Sequence, residues 1–144
     1  MENHNRFMSE AIKEAKKAFE KDEVPIGAIV VYDDKIIARA HNLTENLCDP
    51  TAHAEMQAIT AAASHMGGKY LDQCTLYVTL EPCPMCAGAL YWSQLGTLIY
   101  GAEDPKRGYT NLNPKLLHPR TKVIKNILSD DSAGLINLFF KKRR

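Results

Sequence analysis

The 144-residue chain has no apolar run long enough to cross a bilayer. Stretches such as IGAIVVY at 26–32 fall far short of the roughly 20 residues that a spanning helix needs. Its first ten residues, MENHNRFMSE, lack the apolar segment of a secretory signal. The expectation is a soluble, cytoplasmic protein with no membrane partner, in which thiols stay reduced. Cysteine is scarce, with four residues, and in that compartment a structural disulfide is a poor use for them. Repeats, low-complexity tracts and linkers are also absent, so 1–144 is expected to be a single domain. Net charge is nearly absent too, at +1.

That near-neutrality hides a division. Residues 1–105 hold 8 Lys/Arg against 15 Asp/Glu, a net of −7, whereas residues 106–144 hold 10 against 2, a net of +8. A basic final quarter follows an acidic body. Hydrophobic residues make up 45%, enough for a core at this length. Phe7, Met8, Ala11, Ile12, Ala15 and Phe19 recur at helical spacing and predict a helix over 4–21. GAIVVY and IIARAHN, joined by DDK, read as two strands and a tight turn. Thr51 can cap a helix that runs to about Ser64 and stops at Gly67-Gly68. TLYVTL (75–80) and TLIYG (97–101) read as strands on either side of a helix over 83–94, and TKVIKN (121–126) as a short strand. Residues 102–120 read as loop, and a last helix begins at Asp130 or Asp131. This order implies a central sheet covered by helices.

Cys83 and Cys86 form a Pro-Cys-x-x-Cys pair at the start of a predicted helix. Such a pair suits half of a structural zinc site or a redox couple. A redox couple usually follows the first strand of a thioredoxin-like pattern, and this one does not. A structural zinc needs two close pairs, and Cys48 and Cys74 do not make the second; each reads as a lone, inert thiol. His53 and Glu55, in DPTAHAEMQ, also lie at the start of a helix. If both helices follow strands of one sheet, their N-termini can point at one place. His53, Cys83 and Cys86 then supply three zinc ligands with a fourth position open, the pattern of a catalytic site. Helix N-termini favour the thiolates. Glu55 lies about 200° around the helix axis from His53, too far to ligate in parallel, but where the helix begins both can border one cavity. Glu55 is then free to move protons. Alone, His53 reads as an ordinary surface or core histidine and Glu55 as a solvated helix residue. In this order, His-Ala-Glu followed by Pro-Cys-x-x-Cys is the signature of zinc-dependent deaminases.

The stretches DPTAHAEMQAI and LDQCTLYVTLEPCPMCAGAL resemble the cytidine/deoxycytidylate deaminase superfamily. EVPIGAIVV, AHN at 40–42, YGAEDPKRG at 100–108, LHP at 117–119 and LFFKKRR extend the resemblance to its bacterial tRNA-specific adenosine deaminases, over nearly the whole chain. The resemblance implies an α/β fold, a three-layer α/β/α sandwich whose central mixed sheet has about five strands. It implies one Zn²⁺ per chain on His53, Cys83 and Cys86. It also implies a catalytic Glu55 that shuttles protons while a wobble adenosine in a tRNA anticodon is hydrolysed to inosine. Asn42 matches the family's base-contacting asparagine and Asp104 its loop aspartate. Val24 to Ile26 match its apolar wall, and Ala54, between the two motif residues, is expected to contact the substrate together with Ile26, Asn42 and Asp104. The family is a homodimer that grips tRNA across its interface. PKRGYTNLNP after Asp104 departs from the small residues common there. Tyr91 and Trp92 resemble an aromatic pair of the guanine deaminases, and the ordinary reading of Trp92 is core or dimer packing.

Three functions follow. An enzyme acting on the tRNA anticodon stem-loop would use the basic block: Lys106, Arg107, Lys115, Arg120, Lys122, Lys125, and Lys141 through Arg144 on phosphates. Tyr109, Phe139 and Phe140 would serve as walls for a flipped base. A deaminase of free guanine, cytosine or a nucleoside would use the same zinc site, with Trp92 as its best support, and no basic block. A zinc-stapled partner subunit without activity would typically lack the proton-carrying glutamate, and Glu55 is present.

Overall fold

The computed structural model describes residues 2–143. Among them the chain forms α1 (Glu2–Glu20), β1 (Gly27–Tyr32), β2 (Lys35–His41), α2 (Ala54–Met66), β3 (Thr75–Leu80), α3 (Pro84–Trp92), β4 (Thr97–Ala102), β5 (Lys122–Ile124) and α4 (Ser129–Lys142). A single 3₁₀ turn, Tyr109–Asn111, interrupts the long connection from β4 to β5. None of these helices is long and apolar enough to cross a membrane.

The five strands make one mixed sheet in the order β2-β1-β3-β4-β5. β1 pairs antiparallel with β2 and β3, and β3, β4 and β5 run parallel. Alternate residues face opposite layers, as the two-residue period of a strand requires. Ala28, Val30, Leu76, Val78, Leu98 and Tyr100 pack with Ala54, Ala58 and Ala62 of α2 and Ala87 and Leu90 of α3. Ile29, Val31, Tyr77 and Ile99 face Phe7, Met8, Ala11 and Ile12 of α1, with Leu135 of α4 alongside. The predicted three-layer α/β/α sandwich is therefore the observed one.

Local chemistry explains most boundaries. The β1–β2 turn places Asp33 and Asp34 at φ 52° and 63°, the left-handed pair of a two-residue hairpin turn, which aspartate tolerates. The register slips between Val30 and Val31, whose partners are Ala38 and Ile36, so Ile37 is an extra residue in a bulge. Gly67 ends α2 at φ 72°, with N–H groups of residues 67 and 68 returned to Ser64 and Ala63.

Several expectations are corrected. Thr51 does not cap α2: its N–H and hydroxyl both bond Asp49 Oδ1, and the helix starts three residues later, with His53 as the capping residue in an extended conformation. α3 ends at Trp92 rather than at Gln94, whose φ of 53° breaks the helix. α4 starts at Ser129, ahead of Asp130. Trp92 is not a core residue; it is 77% exposed.

Candidate active site

The register brings four chain segments to one end of the sheet. Gly27 pairs with His41 and Leu80 with Ala102. The residues just before β1 and just after β2, β3 and β4 therefore meet there. The first turns of α2 and α3 point to the same end. Gln57 fastens α2 to β2 by donating to the carbonyls of His41 (2.8 Å) and Ala52 (3.2 Å). Pro84 opens α3, where its missing N–H is harmless, and leaves Cys83 as the capping residue.

His53 Nδ1 lies 3.6 Å from Cys83 Sγ and 3.5 Å from Cys86 Sγ. All three ligand atoms lie within 4.8 Å of one another. For tetrahedral zinc with Zn–N of about 2.05 Å and Zn–S of about 2.3 Å, the N···S separation is about 3.6 Å. The trio therefore has the donor set and spacing for such an ion. Within it, Cys83 is driven towards thiolate, down to about 4, by the Cys86 thiol hydrogen-bonded to it and then by His53. Cys86 is pushed up, first by its bond with Cys83. The Cys83 thiolate holds the His53 imidazole above its usual value.

Glu55 follows two residues after His53 and is buried, with 3% exposure. Loss of water lifts its carboxyl to about 7, with the negative Cys83 adding to the shift. A carboxyl near 7 can both take and give a proton at neutral pH. His53 and Glu55 line the same cleft of about 240 Å³, together with Val24, Ile26, Asn42 and Ala54 from one side. Leu80, Glu81, Cys83, Asp104, Arg107 and Phe140 close the other.

A profile of the MafB19-like deaminases matches residues 2–144. A tRNA-specific adenosine deaminase of Bacillus subtilis (strain 168) is 47% identical over 143 residues, covering 96% of this chain and 89% of that protein. One from Aquifex aeolicus (strain VF5) is also 47% identical, over 96% and 94%. The chain belongs to this deaminase family. A solved structure concerned with A-to-I editing by tRNA:A34 deaminases at the wobble position of transfer RNA aligns with it at a TM-score of 0.83 and 42% identity, over 90% of this chain and 98% of that one. A guanine deaminase from Bacillus subtilis aligns at a TM-score of 0.66 and 41% identity, over 69% and 64%.

The deaminase thus assembles most of the residues its sequence singled out. Ile26, Asn42, His53, Ala54, Glu55, Cys83, Asp104, Arg107 and Phe140 line one cleft, and Cys86 completes the trio behind it. Others lie elsewhere. Lys106 and Lys141 are exposed and do not line the cleft. Arg143 is tied to the body: its guanidinium donates to the Asp22 carbonyl (2.8 Å) and lies 4.3 Å over the Phe139 ring. Arg144 lies outside the described residues. Tyr109 and Phe139 are buried, so neither forms a wall for a base; of the three aromatics only Phe140 reaches the cleft.

Two buried carboxylates that hold loops around the cleft, Glu23 and Glu81, were not singled out. Glu23 accepts the N–H groups of Glu45 and Asn46 and the Asn46 amide, so it holds the loop after β2. Glu81 holds the loop after β4. The available signal was a glutamate beside apolar strand residues, in EVPIGAIVV and in TLEPC.

Proposed function

We propose that the protein hydrolyses the exocyclic amine of adenosine at the wobble position of a tRNA anticodon, leaving inosine. The observation that carries the chemistry is Glu55, buried in a cleft beside a His-Cys-Cys trio of zinc-binding geometry. The near full-length identity to tRNA-specific adenosine deaminases supports the substrate.

His53, Cys83 and Cys86 would hold one Zn²⁺, which supplies the Lewis acidity that activates water for attack. Glu55 takes one proton from the attacking water and gives it to the ring nitrogen beside the reacting carbon. It then takes the second proton from the same oxygen and gives it to the departing amine, which leaves as ammonia as the carbonyl of inosine forms. Its burial keeps that proton away from bulk solvent. Val24, Ile26 and Leu80 give the flipped base apolar surroundings. The Asn42 side chain, bonded through Oδ1 to the Thr44 N–H at 3.3 Å and through Nδ2 to the Val24 carbonyl at 3.4 Å, is held at the edge of the cleft to read the base. Asp104 and Arg107 stand at the mouth, and Phe140 offers an aromatic face there. Lys106 and Lys141 extend the positive surface for phosphates. In this reading the reaction takes place in the cytoplasm, on a homodimer. Exposed Trp92 and Tyr91, packed edge to face at 5.5 Å, support a covered face on α3.

The test is inosine formation by the zinc-loaded protein on an anticodon stem-loop with a wobble adenosine, with free guanine and cytidine as parallel substrates. Inosine in the stem-loop alone is expected. Turnover of guanine or cytidine in its place overturns the tRNA assignment and leaves the zinc chemistry standing.

A further inference from the structure

The geometry points to Glu81 as the positioning residue of the cleft mouth, resting on the tRNA reading above: its carboxylate sets the loop that presents Asp104 and Arg107, and so governs how tightly the RNA substrate is held rather than how protons move.

Glu81 sits between the end of β3 and Cys83, and 4% of its surface is exposed. Three donors from the opposite loop converge on it. The Asp104 N–H bonds Oε1 at 3.1 Å, while the Thr110 N–H and hydroxyl bond Oε2 at 3.1 and 2.7 Å. Those acceptances occupy most of the lone-pair positions of a carboxylate, so the group is a fixed anchor and no proton carrier. The backbone stitches the same two segments together on either side: the Glu81 N–H donates to the Ala102 carbonyl and the Tyr109 N–H to the Pro82 carbonyl, both at 2.8 Å. Between Asp104 and Thr110 lies Gly108, where a β-carbon would run into the Glu81 carboxylate and push it away from these donors. The loop also turns on itself. Asp104 Oδ1 accepts the N–H groups of Lys106 and Arg107 at 3.1 and 3.0 Å, fixing where the Arg107 backbone points.

One face of the Glu81-Pro82 pair therefore leads into the Cys83 turn and the other carries the mouth loop. The mouth is held at a set distance from the trio by contacts that touch neither the ion site nor Glu55. Loss of the anchor loosens residues 103–111 and leaves the reacting groups in place. Binding of a large substrate that reaches across the mouth suffers, and the chemical step does not.

The experiment compares the zinc-loaded parent with Glu81→Gln, Gly108→Ala and Thr110→Val. It reads KM and kcat on the stem-loop, zinc per chain, and amide hydrogen exchange across 103–111. Glu81→Gln and Gly108→Ala are expected to raise KM about tenfold each with kcat within about twofold. Zinc content stays at the parent level, loop exchange quickens, and the double variant is no worse than either single one. Thr110→Val, which loses one donor at an exposed position, gives a smaller rise. If Glu81→Gln fails to fold, the other two variants carry the same readouts from across the contact. Parental KM with unchanged exchange, or a fall in kcat with KM unchanged, overturns the assignment. If the parent itself does not edit the stem-loop, the tRNA reading fails, while the exchange data still decide whether Glu81 holds the loop.

Discussion

Glu55→Gln isolates the proton chemistry. The side chain is 3% exposed, and glutamine has nearly the same volume, so the cleft and the trio should keep their shape. Glutamine is neutral and carries no titratable proton, and it replaces a carboxyl that burial has lifted to about 7. At neutral pH such a carboxyl stands far closer to the balance between its acid and base forms than one at its ordinary value, so it can serve in both roles. One positioned proton carrier contributes about 10² to 10⁴ in rate. Glu55 is asked to serve both as base and as acid, so a loss of at least about 10³ in kcat is expected, equivalent to about 4 kcal/mol. KM should stay within a few-fold, because the neutral acid and the amide have similar shape. The assay is single-turnover inosine formation on the stem-loop, with zinc content measured on the same samples. A variant that retains more than about a tenth of the parental rate would refute the reasoning. So would a large loss accompanied by missing zinc, which would place Glu55 in ion binding instead.

Further outcomes follow from other positions. In the zinc-loaded protein, iodoacetamide should label the exposed Cys48 and spare Cys83 and Cys86; chelation should add the half-buried Cys83, as read by mass spectrometry, while Cys74 stays silent at 1% exposure. Cys83→Ser should lower zinc content in the purified protein, measured by elemental analysis. Gly67→Ala puts a β-carbon at φ 72°, costs about 1 kcal/mol and lowers Tm by about 3 °C, with activity unchanged at room temperature. The neighbouring phenylalanines should separate. Phe139→Ala empties a buried position against Phe19, costs about 3 kcal/mol and lowers Tm by about 10 °C, whereas Phe140→Ala, at 48% exposure, leaves Tm nearly unchanged and weakens stem-loop binding.

The sheet and its helices were legible because their signals are local. The β-branched, apolar runs GAIVVY and TLYVTL, the Asp33-Asp34 turn and the Gly67 stop each act within a few residues. The trio was legible because zinc chemistry restricts ligand type, and because Pro-Cys-x-x-Cys and His-Ala-Glu each open a helix. Three-dimensional packing decided what lay beyond those ranges. Thr51 had the right side chain for a cap, yet Asp49 captured its hydroxyl, a competition that composition cannot resolve. Phe139 and Phe140 are identical in type and differ by one step of about 100° around α4, so only the docking of that helix settles which is buried and which faces the cleft. Arg143 belongs by sequence to a basic tail, but the meeting of α1 and α4 gives it Asp22 and Phe139 as partners. Glu81 and Glu23 gain their meaning from loops that start 23 and 21 residues away. A carboxylate's role there depends on which backbone amides reach it. The sequence by itself determined which three side chains could hold an ion and which carboxyl is proposed to carry the protons. The tertiary structure alone decided the shape of the mouth, because that shape is set by amide groups, which every residue but proline possesses and no side-chain pattern reports.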